Sequence, residues 1–389
     1  MTTVANGKKK NICDAMFDIQ WVLFLISSIV GISAWYELDE TGIVSMGIRT
    51  VKCLCAIICL LVVLIKLFNK IYNLKSGIAF VLFGIVVALS AYYSKNVANV
   101  WYFVVFAAAY KQDAKRIISL SVLVTALMMF VIIVSGYTGL AVNYKFIYGD
   151  RVRYGLGFGW TTTPPILYLF LSLEYIYVRE EKMRIPEFVI LETIAVYFFI
   201  MTNTRVTFAV TSGAIVYLCI ESLLKNRWNI WKKINMAWLC APILITLLCI
   251  GMYYFFDQDN AIWDAINKFM NGRLVLGQDA IQSYGYTLFG QEIQWNGFSI
   301  STPVDYQAYN YVDCSYIQIM IHYGVIFLCA TVVIYIKAIY NAIKANRYNA
   351  VCIIIIIMLF SVTEPRLMNL AFNAFPMLAF LSVKKSGIC

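Results

Sequence analysis

The sequence predicts an all-α polytopic membrane protein with about twelve transmembrane helices. The 389-residue chain is 61% hydrophobic and has a mean hydropathy of +0.75, whereas only 13% of its residues are charged. A soluble globular chain carries about 25% charged residues, so this composition favours a membrane protein. Apolar stretches recur along the whole chain, and basic residues cluster in the short polar segments between them.

Each apolar stretch is predicted to be a helix, because lipid cannot bond backbone N–H and C=O groups and a helix pairs them within the segment. A β-barrel is excluded because residues 351–360 do not alternate between polar and apolar side chains, as barrel strands do. The predicted spans are 17–33, 51–67, 77–93, 97–110, 117–135, 164–178, 187–202, 206–224, 236–256, 315–336, 350–363 and 367–383.

The basic residues set the predicted orientation. Cytoplasmic loops are enriched in Lys and Arg. If Lys8, Lys9 and Lys10 are cytoplasmic, every later cytoplasmic segment holds at least two basic residues. Both termini are then cytoplasmic. The net charge of +10 is therefore an orientation signal, and it predicts anionic inner-leaflet lipid as the partner, not nucleic acid.

Two long segments fall on the predicted outer face of the cell membrane. They are residues 136–163 and residues 257–314, the larger of which connects helices 9 and 10. The cytoplasmic loops are too short to hold a soluble domain, so residues 1–389 are predicted to form a single transmembrane domain. Long loops in a compact fold are usually functional, and the active site is therefore expected to face outward.

The larger outer loop is predicted to contain two short helices. Ile262, Ile266 and Phe269 have the spacing of one apolar helix face, which is typical of a helix lying on the membrane surface. The turn residues at 271–273 end that helix, and a second one is expected over about 274–283.

Arginines on the predicted outer face point to phosphate binding. The residues are Arg151, Arg153, Arg205, Arg273 and Arg366. Arginine presents a rigid fork of donors that fits phosphate in a bidentate way, so several of them at a membrane surface suit a lipid-linked diphosphate. The alternative is that each one reaches to lipid headgroups or pairs with a carboxylate such as Asp150 or Glu364.

Residues 284–311 mix aromatic side chains with amides, and Trp295 stands between Gln294 and Asn296. Flat rings and amides are typical of a carbohydrate-binding cleft, where rings stack on sugar faces and amides bond hydroxyl groups. The alternative is that these aromatic residues form an interfacial belt.

Asp313 is the carboxylate of most interest, because it stands at the predicted outer start of the tenth helix, where a general base could reach substrate. The alternative is that Asp313 only caps the N-terminus of this helix. His322, the only histidine, is either a proton carrier or a packed, hydrogen-bonded helix residue. No metal site is predicted, because none of the eleven cysteines forms a C-x-x-C pair in a polar loop.

Five motifs in the second half of the chain carry a family resemblance. They are RVRYGLGFGW (151–160), TNTRVTFAVTSGAIVYL (202–218), NGRLVLGQDAIQSYGYTLFGQ (271–291), VDCSYIQIMIHYGVIFL (312–328) and TEPRLMNLAFNAFPMLAF (363–380). In this order, and on this topology, the chain resembles the Wzy-type polysaccharide polymerases of the O-antigen ligase/polymerase superfamily. The first half adds only its hydropathy.

The resemblance implies a glycosyltransferase that polymerises undecaprenyl-diphosphate-linked oligosaccharide repeats, with no metal and no cofactor. Donor and acceptor would both be lipid-linked. The arginines in the matching motifs, Arg151, Arg153, Arg205 and Arg273, would hold the diphosphate. Asp313 would be the base, and it departs from the ligase branch, which has a histidine in that place.

Four further residues are weaker candidates for substrate binding: Arg366, Glu364, Tyr316 and Trp295. A chain-length regulator is a candidate partner. Two other functions remain open. One is an O-antigen-ligase-like glycan transferase, which these motifs hardly separate from a polymerase. The other is a twelve-helix transporter or flippase for lipid-linked oligosaccharide, which would usually show two similar halves and ionisable residues at the membrane midplane.

Overall fold

The computed structural model of the protein describes residues 2–39, 42–148, 151–223, 230–297, 300 and 309–385. The chain is 73% helical, with one short β-hairpin. The helices are α1 (Thr2–Val30), α2 (Ala34–Glu37), α3 (Ile43–Phe68), α4 (Leu74–Ser94), α5 (Ala98–Ala109), α6 (Ala114–Thr138), α7 (Thr163–Arg179), α8 (Ile185–Thr202), α9 (Arg205–Leu223), α10 (Ile230–Ile234), α11 (Ala241–Tyr254), α12 (Ala261–Phe269), α13 (Arg273–Tyr284), α14 (Ser315–Gln318), α15 (Val325–Lys344) and α16 (Tyr348–Phe360). The hairpin pairs β1 (Lys145–Tyr148) with β2 (Arg151–Tyr154).

Eight helical segments in the described part of the chain are long and apolar enough to cross a membrane, which confirms the expectation of an all-α polytopic membrane protein. Large apolar side chains on their surfaces are exposed, among them Leu82, Phe130, Ile200 and Leu248. Exposed apolar surface on this scale is unfavourable in water and is typical of a lipid-facing surface. The interior is also apolar: α1 packs against α3 and α6, and α7 packs against α6, α8 and α9.

Two predicted spans are helices of less than spanning length. The span predicted at 97–110 is the twelve-residue α5, and that at 350–363 is the thirteen-residue α16. The chain after α5 pairs with the C-terminal segment: Lys111 N donates to Phe380 O at 2.9 Å, and Ser382 N donates to Gln112 O at 2.7 Å.

The prediction of a helix over 367–383 is wrong. This segment forms turns and a short 3₁₀-helix, Phe375–Ala379. Asparagine side chains that bond nearby backbone groups compete with helix formation, and Asn369 and Asn373 do so here, through Ala371 N and Phe375 N. The segment is buried, and Glu174 of α7 accepts a hydrogen bond from Ala374 N at 3.1 Å. Irregular backbone is tolerated in a membrane protein when other protein segments bury it in this way.

The span predicted at 315–336 is interrupted. Helix α14 continues into a π-helical turn, Ile319–Tyr323, and Gly324 (φ +95°) then separates it from α15. The groups freed by the break bond the larger loop: Val325 N and Ile326 N donate to the carbonyls of Thr287 and Leu288 at 3.0 and 3.1 Å. Such pairing is needed because an unpaired backbone group away from water is costly.

Gln291, also in the larger loop, adds two more hydrogen bonds to the helix break. Its backbone N–H donates to His322 O at 3.1 Å, and its side chain donates to Ile321 O at 3.1 Å. Gly290 (φ +100°) allows the close approach, because a Cβ at this position would lie 2.5 Å from His322 O. The loop is therefore bonded to both sides of the helix break.

The two helices predicted in the larger loop are confirmed as α12 and α13. Ile262 and Phe269 of α12 are 72% and 82% exposed, whereas Ile266 of the same face packs partly against the core. Asn267 Oδ1 accepts hydrogen bonds from the backbone N–H groups of Leu274 and Val275, at 3.1 and 3.4 Å, and fixes the turn between the two helices. This turn places Arg273 at the start of α13.

Candidate functional site

Arg273 joins the larger loop to two carboxylates from distant parts of the chain. Its Nε donates to Asp313 Oδ2 at 2.9 Å, and its Nη2 lies 3.8 Å from Glu364 Oε1. The Arg273 and Asp313 side chains are 17% and 26% exposed, so the pair is partly shielded but open to a ligand. Cys314, not Asp313, occupies the N-cap position of α14, which argues against the alternative that Asp313 is the helix cap.

Glu364 is the most perturbed carboxylate of this cluster. Burial raises its pKa to about 7, the charge of Asp313 adds to the increase, and Arg273, Arg366 and Arg153 oppose it. A carboxyl group that titrates near neutral pH can gain or lose a proton at little cost. Perturbed groups of this kind are found preferentially at functional sites.

The β-hairpin brings two further arginines, Arg151 and Arg153. Arg153 Nε donates to Thr202 O at 2.8 Å, and its Nη2 donates to Thr204 Oγ1 at 3.2 Å. Burial lowers the pKa of Arg153, as do the charges of Arg151 and Arg273, whereas Glu364 raises it. Arg153 is therefore within electrostatic range of both neighbouring arginines.

Arg205 is connected to this group only through the chain, because it is the exposed first residue of α9 and follows Thr204, which Arg153 contacts. A helix N-terminus presents free N–H groups and a positive dipole end, which favours an anion. Arg205 thus extends the positive region towards the surface.

The hairpin is held in place by close backbone contacts. A Cβ at Gly157 (φ +81°) would lie 2.4 Å from Ile132 O, so only glycine fits against α6 here. The carbonyl of Gly157 also accepts a hydrogen bond from Ala34 N at 2.9 Å. The glycines after Arg151 and Arg153 therefore anchor the arginine-bearing hairpin to α6 and α2.

We call Arg151, Arg153, Arg273, Arg366, Asp313 and Glu364 the ionic cluster. It contains four arginines and only two carboxylates, and one of these carboxylates has a raised pKa. The excess positive charge, in a partly buried place, is suited to an anion that carries more than one charge.

A cavity of about 260 Å³ adjoins the ionic cluster. Arg366 and Pro365 line it, and Pro365 follows Glu364 in the chain. Its other walls include aromatic and amide side chains, such as Trp295 and Asn99. Trp295 and Tyr311 are the lining residues from the stretch 284–311, and the amides of the wall come from other segments, so the predicted carbohydrate cleft stays a prediction.

His322 also lines this cavity, and it is 4% exposed. Neither of its ring nitrogens has a hydrogen-bond partner among the described residues. His322 is buried, as expected for a packed helix residue. The hydrogen bond expected with that interpretation is not formed with any described residue.

Tyr316 is not placed as a substrate-binding residue. Its side chain is fully buried, and its hydroxyl group donates to Met358 O at 2.8 Å. It therefore stabilises the packing of α14 on α16. Asp150, which was considered as a partner of the arginines, lies outside the described residues.

Sequence reasoning missed Asn99 as a cavity residue. It belongs to the apolar α5, and a polar side chain within an apolar helix of a membrane protein is itself a signal of function. Among the residues that the structure describes, no group of three or more His, Cys, Asp or Glu side chains has an arrangement suited to a metal ion.

Comparisons with known proteins do not identify this chain, since no family model, curated protein or solved structure matches it.

Proposed function

We propose that the protein is a membrane glycosyltransferase of the Wzy polymerase type. It joins lipid-diphosphate-linked oligosaccharide repeats on the outer face of the cell membrane. The observation that carries this proposal is the ionic cluster, in which Arg273 bonds Asp313 beside Glu364 while further arginines approach from the hairpin and from Arg366. A carboxylate next to surplus fixed cations is what glycosyl transfer from a diphosphate requires.

Asp313 has the role of general base. Its carboxylate is 26% exposed, so an acceptor sugar hydroxyl can reach it. The hydroxyl proton passes to Asp313 as the oxygen forms a bond to the anomeric carbon of the donor. The bond between that carbon and the diphosphate oxygen breaks, and the electron pair leaves with the lipid diphosphate.

The arginines stabilise the leaving diphosphate. Arg273 is engaged with two carboxylates. Arg151 and Arg205 form no salt bridge with a described carboxylate and are better placed for initial capture. Negative charge grows on the leaving group in the transition state. Cations that are already fixed in a partly buried site interact with it strongly, because little reorganisation is needed.

The proposal is tested with the purified full-length protein in detergent. A synthetic lipid-diphosphate-linked repeat is added in the presence of EDTA, and the products are resolved by size. A ladder of glycans together with released lipid diphosphate supports the polymerase. A single transfer to another acceptor indicates a ligase. Movement of unchanged substrate across a proteoliposome membrane, without turnover, indicates a transporter and overturns the proposal.

A further inference from the structure

Two buried polar side chains facing the cavity lack partners. Asn99 is 5% exposed, and its Nδ2 has no hydrogen-bond partner among the described residues. His322 is 4% exposed, and neither Nδ1 nor Nε2 has a partner among the same residues. Both residues line the cavity beside the ionic cluster. Buried polar groups in native proteins are nearly always bonded, so these atoms indicate a ligand or solvent that completes the site.

The cavity is larger than a bridging water requires. Its volume of about 260 Å³ is several times the ~30 Å³ that one water occupies in the liquid. His322 lies on the π-helical turn Ile319–Tyr323, and π-helical turns are found frequently at functional sites. The cavity, the unpaired polar atoms and the π-helical turn therefore lie at the same place in the fold.

The chemistry of the walls fits a neutral polyhydroxylated ring. A neutral imidazole offers one donor and one acceptor, and an amide offers both, which matches hydroxyl groups that donate and accept. The indole of Trp295 lies 6.0 Å from the His322 ring and 6.1 Å from the Tyr311 ring, between centroids. Aromatic walls suit the apolar face of a sugar.

An anion is a poorer fit for this cavity. Arg366 is the charged residue among its described lining residues, and its guanidinium lies 4.8 Å from the centre of the Phe372 ring and within electrostatic range of Glu364. Part of this guanidinium is therefore engaged outside the cavity, although its Nε has no hydrogen-bond partner among the described residues. Arg151, Arg153 and Arg273 of the ionic cluster do not line the cavity and offer an anion a stronger site next to it.

We infer that this cavity binds one uncharged sugar residue, and that Asn99 and His322 hydrogen-bond its hydroxyl groups. Tyr311, which lines the cavity, is within electrostatic range of Asp313 and Glu364. A hydroxyl of the bound ring can thus be directed at Asp313. The identity of this sugar as the acceptor rests on the proposed function, whereas sugar binding itself does not.

Binding is tested with the full-length protein in detergent by saturation-transfer NMR titrations. The probes are methyl glycosides of glucose, galactose and N-acetylglucosamine. We expect at least one to bind the wild type, and we expect binding to weaken at least tenfold in Asn99→Ala and in His322→Phe. His322→Asn should restore part of the affinity, because an amide can replace one imidazole hydrogen bond. Ser119→Ala, at a half-buried position on α6 that does not line the cavity, is the control and should bind as the wild type does.

Stability separates a binding role from a structural one. Asn99 Nδ2 and the His322 nitrogens have no described partner to lose, so the variants should melt within a few degrees of the wild type. Loss of binding without loss of stability supports the inference. The inference is overturned if none of the glycosides binds the wild type, or if the Asn99 and His322 variants bind them as tightly as the wild type does. It is also overturned if inorganic pyrophosphate displaces the sugar competitively in an Arg151→Ala variant.

Turnover distinguishes this inference from the proposed function. His322→Phe should raise the KM for the lipid-linked acceptor at least tenfold and leave kcat within about threefold. A wild type that binds sugar but catalyses no transfer overturns the proposed function and leaves the sugar site standing. A wild type that polymerises, with an unchanged KM in the variants, overturns the sugar site and leaves the function standing.

Discussion

The Arg273 guanidinium donates a 2.9 Å hydrogen bond to the Asp313 carboxylate, from forty residues earlier in the chain. This contact ties the start of α13 to the residue that precedes the broken helix. Arg273 follows the first helix of the larger loop and Asp313 stands near the end of the loop, so a charge-assisted bond joins two distant parts of it.

Asp313→Asn should abolish most turnover while the protein stays folded. An amide keeps the shape of the carboxylate but cannot take a proton, and general-base catalysis typically contributes 10²–10⁴-fold. We expect glycan ladder formation to fall at least ~100-fold. Glu292→Gln, an exposed carboxylate of the same loop, is the control and should keep wild-type activity. Full activity of Asp313→Asn would remove the base from the mechanism.

Arg273→Lys should not rescue Arg273→Ala. Lysine keeps the positive charge but cannot approach Asp313 and Glu364 with two separate nitrogens, as the guanidinium does. We expect both variants to lose ~10²–10³-fold in kcat. Arg49→Ala, an exposed arginine of α3, should be neutral. Chain elongation at the wild-type rate by the Arg205→Ala, Arg273→Ala double variant would refute the diphosphate site.

Glu364 should make stability depend on pH near neutrality. Its pKa is raised to about 7 in the folded protein, above the ordinary value of 4.5, chiefly by burial. The folded state therefore holds the proton more tightly than the unfolded state. This contribution to stability is present below about pH 4.5 and is lost as pH rises through about 7.

The melting temperature in detergent should accordingly fall between pH 5 and pH 8. The change due to Glu364 is at most roughly 3 kcal/mol, from 1.36 kcal/mol per pKa unit. Glu364→Gln should reduce the dependence of the melting temperature on pH, whereas Glu292→Gln should leave that dependence unchanged. An equal slope in the wild type and Glu364→Gln would mean that Glu364 does not hold a proton at neutral pH.

Cys249 and Cys314 should form a disulfide when the protein is oxidised. Their Sγ atoms lie 3.4 Å apart and both side chains are buried, between α11 and the residue next to Asp313. Copper phenanthroline transfers two electrons from the two thiols to oxygen and releases two protons. Mass spectrometry of the digested protein should then show a peptide joining both cysteines. The exposed Cys240 should not join Cys314, and such a link would contradict the packing of α11.

Gly290→Ala should destabilise the protein more than Gly285→Ala. Both glycines have positive φ, of +100° and +63°, so both variants carry backbone strain of ~1–2 kcal/mol. Only at Gly290 would the new Cβ also meet the backbone, 2.5 Å from His322 O; at Gly285 nothing described lies within 4 Å. The melting temperatures of the two variants measure the difference, and equal values would argue against the contact between loop and helix.

The parts of the fold that follow local rules were predictable from the sequence. The apolar spacing of α12 and the turn before Arg273 identified both loop helices. By contrast, the helix predicted at 367–383 failed because Asn369 and Asn373 divert the backbone. Their bonding depends on tertiary contacts, such as that of Asn373 with Tyr335.

The candidate site was predictable in part. Motif resemblance selected Arg273 and Asp313, and the structure pairs them. Tyr316, one of the weaker candidates for substrate binding, is buried and bonds the backbone of α16 instead. The polarity of Asn99 within the apolar α5 was a signal of function, but its place in the cavity could not be predicted, because most of the lining comes from residues 295–369 and no local pattern indicates that contact.

The bonds between residues 287–291 and the break at Gly324 give the larger loop a mechanical property. Four hydrogen bonds cross this junction, three between backbone groups and one from the Gln291 side chain, and separating the loop from the helix break would break all four. The loop cannot swing open there as a hinged lid. Residues 287–291 and the start of α15 therefore move as one unit, and a displacement of either is transmitted to the other through the junction.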